Sequence, residues 1–471
     1  MRHFIKTTTL YSLTAILGPV VALLLTPLYV AAIGVAGYGT VDLVQTVVQL
    51  LIPIAVWGLP TTLIAQTDVH VSATTSSRVF SSAMTLTLLV SSILSGLCLL
   101  LAPIIAATTQ RPELSELLRI YACSLPFAAV YGVVLSMSRL LEHVGRTIVL
   151  MVAYVALLAL SRLALVVWFD IGVVGMVLAV AITNIVVALL GVAMSWRWWW
   201  IQPDWSEITR FVRLGAPLLP ASISVWMLLF IDRWFLVQYV SPLAQGQYAV
   251  AALLASLIAF VAEPFKQAWQ PVARRQMQPA FLAWSLTMYC AVALIASAVV
   301  MACAPELLAW IGGADARAAT PLIAWLLIAP LLSGVVAVVS MPAIQAHRTS
   351  LLAWATLAGA LANIGLNIWL IPLYGIYGAA WATAMAALVI PLVHVRLHQT
   401  WQPIAYDWMR LVGLGGLWCC YVLLLPSVAS SVVYRVGLLM SLTVCVGVVI
   451  SAWHWRQWAA VWVESTRDNR T

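Results

Sequence analysis

The stretch SVWMLLFIDRWFLVQYV, residues 224–240, is mostly apolar and carries no charge except where Asp232 and Arg233 sit side by side. In hydrocarbon each ion costs at least about 2.5–3.5 kcal/mol on insertion scales, so such groups face a wet cavity or a partner. On a helix, neighbouring residues point about 100° apart and do not face each other. At least one of the two is therefore expected to reach another helix. Two readings stand side by side: both ions line a hydrated cleft, or both tie neighbouring helices together.

Other polar residues share this setting. Asp42, Arg162 and Glu263 lie within apolar runs, and Glu263 precedes Pro264 and Lys266. Glu263 and Lys266 are three apart, the spacing of an ion pair on one helix face. Carboxylates held in a membrane can bind H⁺ or Na⁺, which makes Asp42, Asp232 and Glu263 candidates for ion coupling. Asn363 and Asn367, four apart, form one polar stripe suited to helix–helix hydrogen bonds or to sugar contact. His394 and His398 share the same spacing, but no third ligand is nearby, so no metal is expected. The seven cysteines are scattered through apolar runs with no C-x-x-C pair, which reads as core packing rather than disulfide or metal chemistry. No nucleophile–base–acid set is evident, and no catalysis is expected.

The elements that must position these residues follow from composition. Of 471 residues, 64% are hydrophobic and 8% charged, with a mean hydropathy of +1.03. A soluble domain carries about 25% charged residues. The chain therefore reads as an all-α integral membrane protein. Apolar runs of spanning length give fourteen transmembrane helices: 10–33, 40–65, 80–106, 117–140, 147–169, 173–196, 214–238, 246–269, 281–304, 319–343, 350–372, 376–398, 408–426 and 433–453. Arg2 and Lys6 precede a first run too long for a cleaved signal. With the N-terminus inside, seventeen of the 23 basic residues fall in inner loops and flanks and four in outer ones. This bias puts both termini in the cytoplasm. It also accounts for the net charge of +8, so no nucleic-acid partner is implied. Tryptophans crowd residues 196–205 and 453–462, as interfacial belts do.

The chain also repeats itself. PFAAVYGVVLSM (126–137) matches PLLSGVVAVVSM (330–341), and IGVVGMVLAVAIT (171–183) matches YGIYGAAWATAMA (374–386). Gly172 then pairs with Gly375, and Gly175 with Gly378. The expected organisation is a six-helix lobe at 1–200, a second at 201–400, and two further helices with a cytoplasmic tail at 401–471. Two parallel six-helix repeats would be related by a pseudo-two-fold axis along the membrane normal.

LANIGLNIWLIPLYGIYGAAWAT (361–383) resembles the signature of bacterial polysaccharide transporters. LTPLYVAAIGVAGYGTVDLV (25–44) and FIDRW followed by GQYAVA (246–251) are similar to the starts of that family's two halves. The family shares a superfamily with multidrug (MATE) exporters and lipid II flippases. The resemblance implies an O-antigen (Wzx-type) flippase in the bacterial inner membrane. Such a protein moves an undecaprenyl-pyrophosphate-linked oligosaccharide from the inner to the outer leaflet. A polysaccharide polymerase and a chain-length regulator are the implied partners besides membrane lipid. A pyrophosphate headgroup needs cations, which Arg139, Arg162, Arg233 and Lys266 would supply, with Asn363 and Asn367 lining the same cavity. An ion-coupled exporter of small amphipathic molecules is the alternative. A membrane glycosyltransferase or polymerase fits less well, because the outer loops are short.

Overall fold

The computed structural model describes residues 2–59, 62, 73–141, 143–196, 202–275, 278–346, 348, 350–425 and 431–451, and all of its regular structure is helical. Backbone groups in a bilayer have no water to bond, so a chain this apolar closes its hydrogen bonds within helices. In order these are α1 (Arg2–Ala55), α2 (Ala73–Thr108), α3 (Glu113–Leu140), α4 (Val144–Arg162), α5 (Gly172–Met194), α6 (Trp205–Gly215), α7 (Leu219–Tyr239), α8 (Pro242–Ala255) and α9 (Ala259–Arg275). They continue with α10 (Pro279–Arg317), α11 (Ile323–Leu326), α12 (Ile328–Val339), α13 (Met341–Gln345), α14 (Ser350–Tyr374), α15 (Ile376–His398), α16 (Trp408–Leu424) and α17 (Val432–Ser451).

Twelve segments of the described residues are long and apolar enough to cross a membrane. The first is two spans joined at Gly34, whose φ of 73° breaks the helical path inside α1. Helix α16 is apolar but shorter. All fourteen expected helices are thus accounted for, and the chain is a multi-pass membrane protein. The surface agrees: Leu100, Leu423 and Val433 are more than 70% exposed, as side chains facing hydrocarbon should be. The cysteines correct the core expectation. Cys98 is buried, while Cys123, Cys303, Cys419, Cys420 and Cys445 are exposed. In a bilayer the outside of the bundle is as apolar as the inside, so hydropathy does not separate the two.

Two elements were not expected. Helix α6 precedes the seventh span, with Ile208 and Phe211 buried and Arg210 and Arg213 exposed. Asp204 caps it by accepting from Ser206 N at 2.8 Å, and Ser82 of α2 holds the Asp204 backbone N–H at 2.9 Å. Its polar face hid it from a hydropathy scan. The second is a π-helix over Leu163–Trp168, directly after Arg162. The tryptophans at 198–200 and 453–462, and His347, lie outside the described residues.

Contacts group the chain into two compact units. One comprises Met1–Val250, Trp310–Ala316 and Asn367–Ala379. Its core joins α1, α2, α3 and α5 through Leu43, Phe80, Leu117, Tyr121, Val133 and Val187. The other comprises Ala251–Ala309, Arg317–Leu366 and Ala380–Thr471. Within it Trp269, Leu286, Val338 and Tyr406 form an apolar cluster. Gly172 and Gly375, paired by the sequence repeat, both sit at positive φ, 70° and 55°. That region costs a side chain energy and suits glycine. Gly175 and Gly378 both press against a carbonyl of the preceding helix end, Leu165 and Leu370.

Candidate functional site

Asp42, Asp232 and Arg233 meet in one largely buried cluster within the first unit. Arg233 Nε donates to Asp42 Oδ2 at 3.1 Å, and Nη1 donates to Asp232 Oδ1 at 2.9 Å and to the Leu229 carbonyl at 2.7 Å. Asp232 Oδ1 also accepts from the Arg233 backbone N–H at 2.8 Å, and Tyr248 O–H donates to Asp232 Oδ2. The guanidinium lies 5.3 Å from the Phe230 ring centre and 5.5 Å from that of Tyr248. The expectation that adjacent Asp232 and Arg233 would not meet is therefore corrected. Their Cβ vectors diverge, but the arginine stem is long enough to fold back along the helix to the carbonyl four residues earlier. Both ions also reach outside α7, Arg233 to α1 and Asp232 to α8. In their ordinary ionisation states the three groups sum to one net negative charge.

Backbone approach places this cluster. A Cβ on Gly246 would sit 1.9 Å from the Val35 carbonyl oxygen, and one on Gly39 would sit 2.6 Å from Gly246 N. Only glycines allow α1 and α8 to touch there. Asp42 follows Gly39 by three residues and Tyr248 follows Gly246 by two, so the glycine contact brings both side chains towards α7. Trp226 Nε1 donates to the Thr46 carbonyl at 2.8 Å and fixes α7 against α1 one turn further along.

A cavity of about 180 Å³ lies in the same unit, where Gln45, Gln49, Tyr121, Tyr154, Arg162 and Asn184 interrupt a mostly apolar wall. The Arg162 guanidinium stands 5.9 Å from the Tyr29 ring centre. Arg162 Nε and Tyr121 O–H are buried with no hydrogen-bond partner among the described residues. Buried polar groups are nearly always satisfied, so each exception asks for an explanation.

The remaining candidates are placed elsewhere. Arg139, in the last turn of α3, points Nη2 at Met151 Sδ at 3.5 Å. Lys266 pairs with Glu263, as their spacing suggested, and the Glu263 side chain is 54% exposed. Asn363 is fully buried and donates to Thr383 Oγ1 at 3.4 Å, a helix–helix contact between α14 and α15. Asn367 is fully buried too. Tyr406 O–H and the Gln402 carbonyl contact the His398 ring at 3.1 and 3.2 Å. No group of three His, Cys, Asp or Glu residues among the described residues could hold a metal.

Sequence reasoning missed Gln45, Gln49, Tyr121, Tyr154 and Asn184. A signal was present for the first two, because Asp42, Gln45 and Gln49 recur at offsets of three and seven along one helix face. The tyrosines and Asn184 come from other helices and share no local pattern with it.

No curated protein matches the chain in sequence. Solved structures do match its fold. The structure titled lipid II flippase MurJ, inward closed conformation, aligns with a TM-score of 0.72 at 13% identity, over 95% of this chain and 98% of that one. The MATE multidrug transporter DinF-BH aligns with a TM-score of 0.62 at 18% identity, over 85% and 96%. An inward-facing MATE transporter of the MOP superfamily gives 0.61 at 16%, over 83% and 98%. At these identities the likeness is one of fold, and it agrees with the all-helical membrane fold that hydropathy led to. The family model described as polysaccharide biosynthesis protein matches residues 4–277, more than half of the chain, and the chain belongs to that family.

Proposed function

We propose that this protein flips an undecaprenyl-pyrophosphate-linked oligosaccharide from the inner to the outer leaflet of the bacterial inner membrane. Two six-helix lobes, 1–200 and 201–400, alternate access to the substrate, and both termini are cytoplasmic. The observation that carries this reading is Arg162, a cation on a mostly apolar cavity, with its Nε buried and without a partner among the described residues, in a chain of the polysaccharide biosynthesis family. A guanidinium so placed is suited to a phosphate because its donors match the oxygens and its charge is permanent. The π-helix beside it is a device often found at functional sites. Membership of the family and the fold of flippases and transporters support a transporter rather than an enzyme.

The cluster of Asp42, Asp232 and Arg233 has a different role in this scheme. Its guanidinium is already engaged by two carboxylates, so the substrate cation is Arg162 in preference to Arg233. The one surplus negative charge is the place for a coupling H⁺ or Na⁺. Export of small amphipathic cations is the second reading, favoured by the fold shared with MATE transporters. A fixed arginine on the cavity opposes cationic cargo.

The test uses cells lacking their own flippase, with surface polysaccharide normalised to the amount of this protein in the membrane. Arg162→Ala should abolish most export and Arg162→Lys should keep part of it. Full export by Arg162→Ala at normal abundance would sink the substrate role. Efflux of a cationic dye by the wild type, with no polysaccharide export, would transfer the assignment to the second reading.

A further inference from the structure

A second cavity, of about 490 Å³, lies within the other unit and is lined by none of the groups used above. Its size falls in the range of ligand sites, about 300–1,000 Å³. The lining includes Pro305, Arg317, Ala318, Trp325, Leu425 and Arg435. These come from the last turns of α10, the start of the 320–339 span, the end of α16 and the start of α17. In the topology set by the basic residues, all four positions are at outer helix ends. The cavity is therefore at the depth where lipid headgroups lie.

Its chemistry is divided. Most of the wall is apolar, contributed by Met301, Pro321, Ile323 and Val422 among others. Two guanidinium groups interrupt it. Arg435 is 3% exposed, a cost that its contacts must offset. It donates through Nη1 to the Ala302 carbonyl and to Glu306 Oε2, each at 2.7 Å, and through Nη2 to Glu306 Oε1. Its Nε is buried with no partner among the described residues. Arg317 is exposed at the rim. The two arginines and Glu306 sum to one net positive charge. Trp325, half-exposed, is the residue type that anchors at the membrane interface.

We infer that this cavity binds one anionic glycerophospholipid of the outer leaflet, with its phosphate between Arg317 and Arg435 Nε and an acyl chain along the apolar wall. The charge selects this occupant. A phosphodiester carries one negative charge and matches the surplus of one. A pyrophosphate carries more and would be left undercompensated. A free phosphate would leave the apolar wall unused. The site shares no residue with the cavity beside Arg162, and its test does not read transport.

Full-length protein, delipidated in detergent, is offered dioleoylphosphatidylglycerol, dioleoylphosphatidylethanolamine or dioleoylphosphatidylcholine, and retained lipid is counted by native mass spectrometry. Wild type should retain phosphatidylglycerol in preference to the two zwitterionic lipids. Arg317→Gln, at an exposed position, should weaken that preference about fivefold, the worth of one basic residue against an anionic lipid surface. Ala318→Trp, which fills the cavity without changing charge, should reduce retention of all three lipids. Equal retention of the three lipids by wild type would overturn the inference, as would an unchanged preference in Arg317→Gln. Displacement of phosphatidylglycerol by millimolar inorganic phosphate would also overturn it, because it would leave only an anion site.

Discussion

Removing Arg233 tests the ion cluster most directly. Arg233→Met keeps the stem and deletes the charge, leaving Asp42 and Asp232 inside the bundle with no cation. Three donated hydrogen bonds of 2.7–3.1 Å go with it. Breaking a buried pair from one side costs about 3–5 kcal/mol. At about 1.4 kcal/mol per tenfold, that lowers the folded-to-unfolded ratio by roughly two to three and a half orders of magnitude. The triple variant Asp42→Asn, Asp232→Asn, Arg233→Met removes every charge together, and replacing a whole buried ion group is often neutral or stabilising. The triple should therefore recover the abundance that the single variant loses. It should still fail to export, because no carboxylate remains in the cluster to take a coupling ion. Abundance and melting of detergent-purified protein are read by fluorescence-detected size exclusion, and export by surface polysaccharide in cells lacking the native flippase. Normal melting by Arg233→Met would refute the structural part of this reasoning. Normal export by the triple variant would refute the coupling part.

Gly246→Ala would drive a methyl group into the Val35 carbonyl, and overpacking of this kind costs about 1–3 kcal/mol; melting should fall, whereas Gly365→Ala, with open space around it, should be tolerated in the same assay. Asp204→Ala removes the cap of α6 and its bond to Ser206 N, and should cost about 0.5–2 kcal/mol; hydrogen exchange of residues 205–209 should rise while that of α7 stays unchanged. Reporter fusions after Trp200 and Arg470 should read as cytoplasmic and one after Arg317 as periplasmic. A periplasmic C-terminus would mean an odd number of spans and would end the two-lobe scheme.

The sequence by itself determined that the protein lives in a membrane, that it is helical, and where most helices run. Those properties depend on the summed transfer energy of about twenty consecutive residues, which is local and additive. The same sum identified Asp42, Arg162, Asp232, Arg233 and Glu263 as anomalies worth explaining. It could not find α6, whose face of Arg210 and Arg213 cancels its apolar side in any average. It could not sort the cysteines either, because lipid and core are equally apolar. Only the tertiary structure decided which anomalies belong together. Asp42 and Arg233 are 191 residues apart in the chain, and they meet because Gly39 and Gly246 let two backbones touch. The Arg162 Nε has no partner among the described residues, beside a cavity to which Tyr121, Tyr154 and Asn184 come from three different helices. Arg435 finds Glu306 across 129 residues for the same kind of reason. Pairing of buried charges is a property of distances between helices, and no pattern along one helix encodes it.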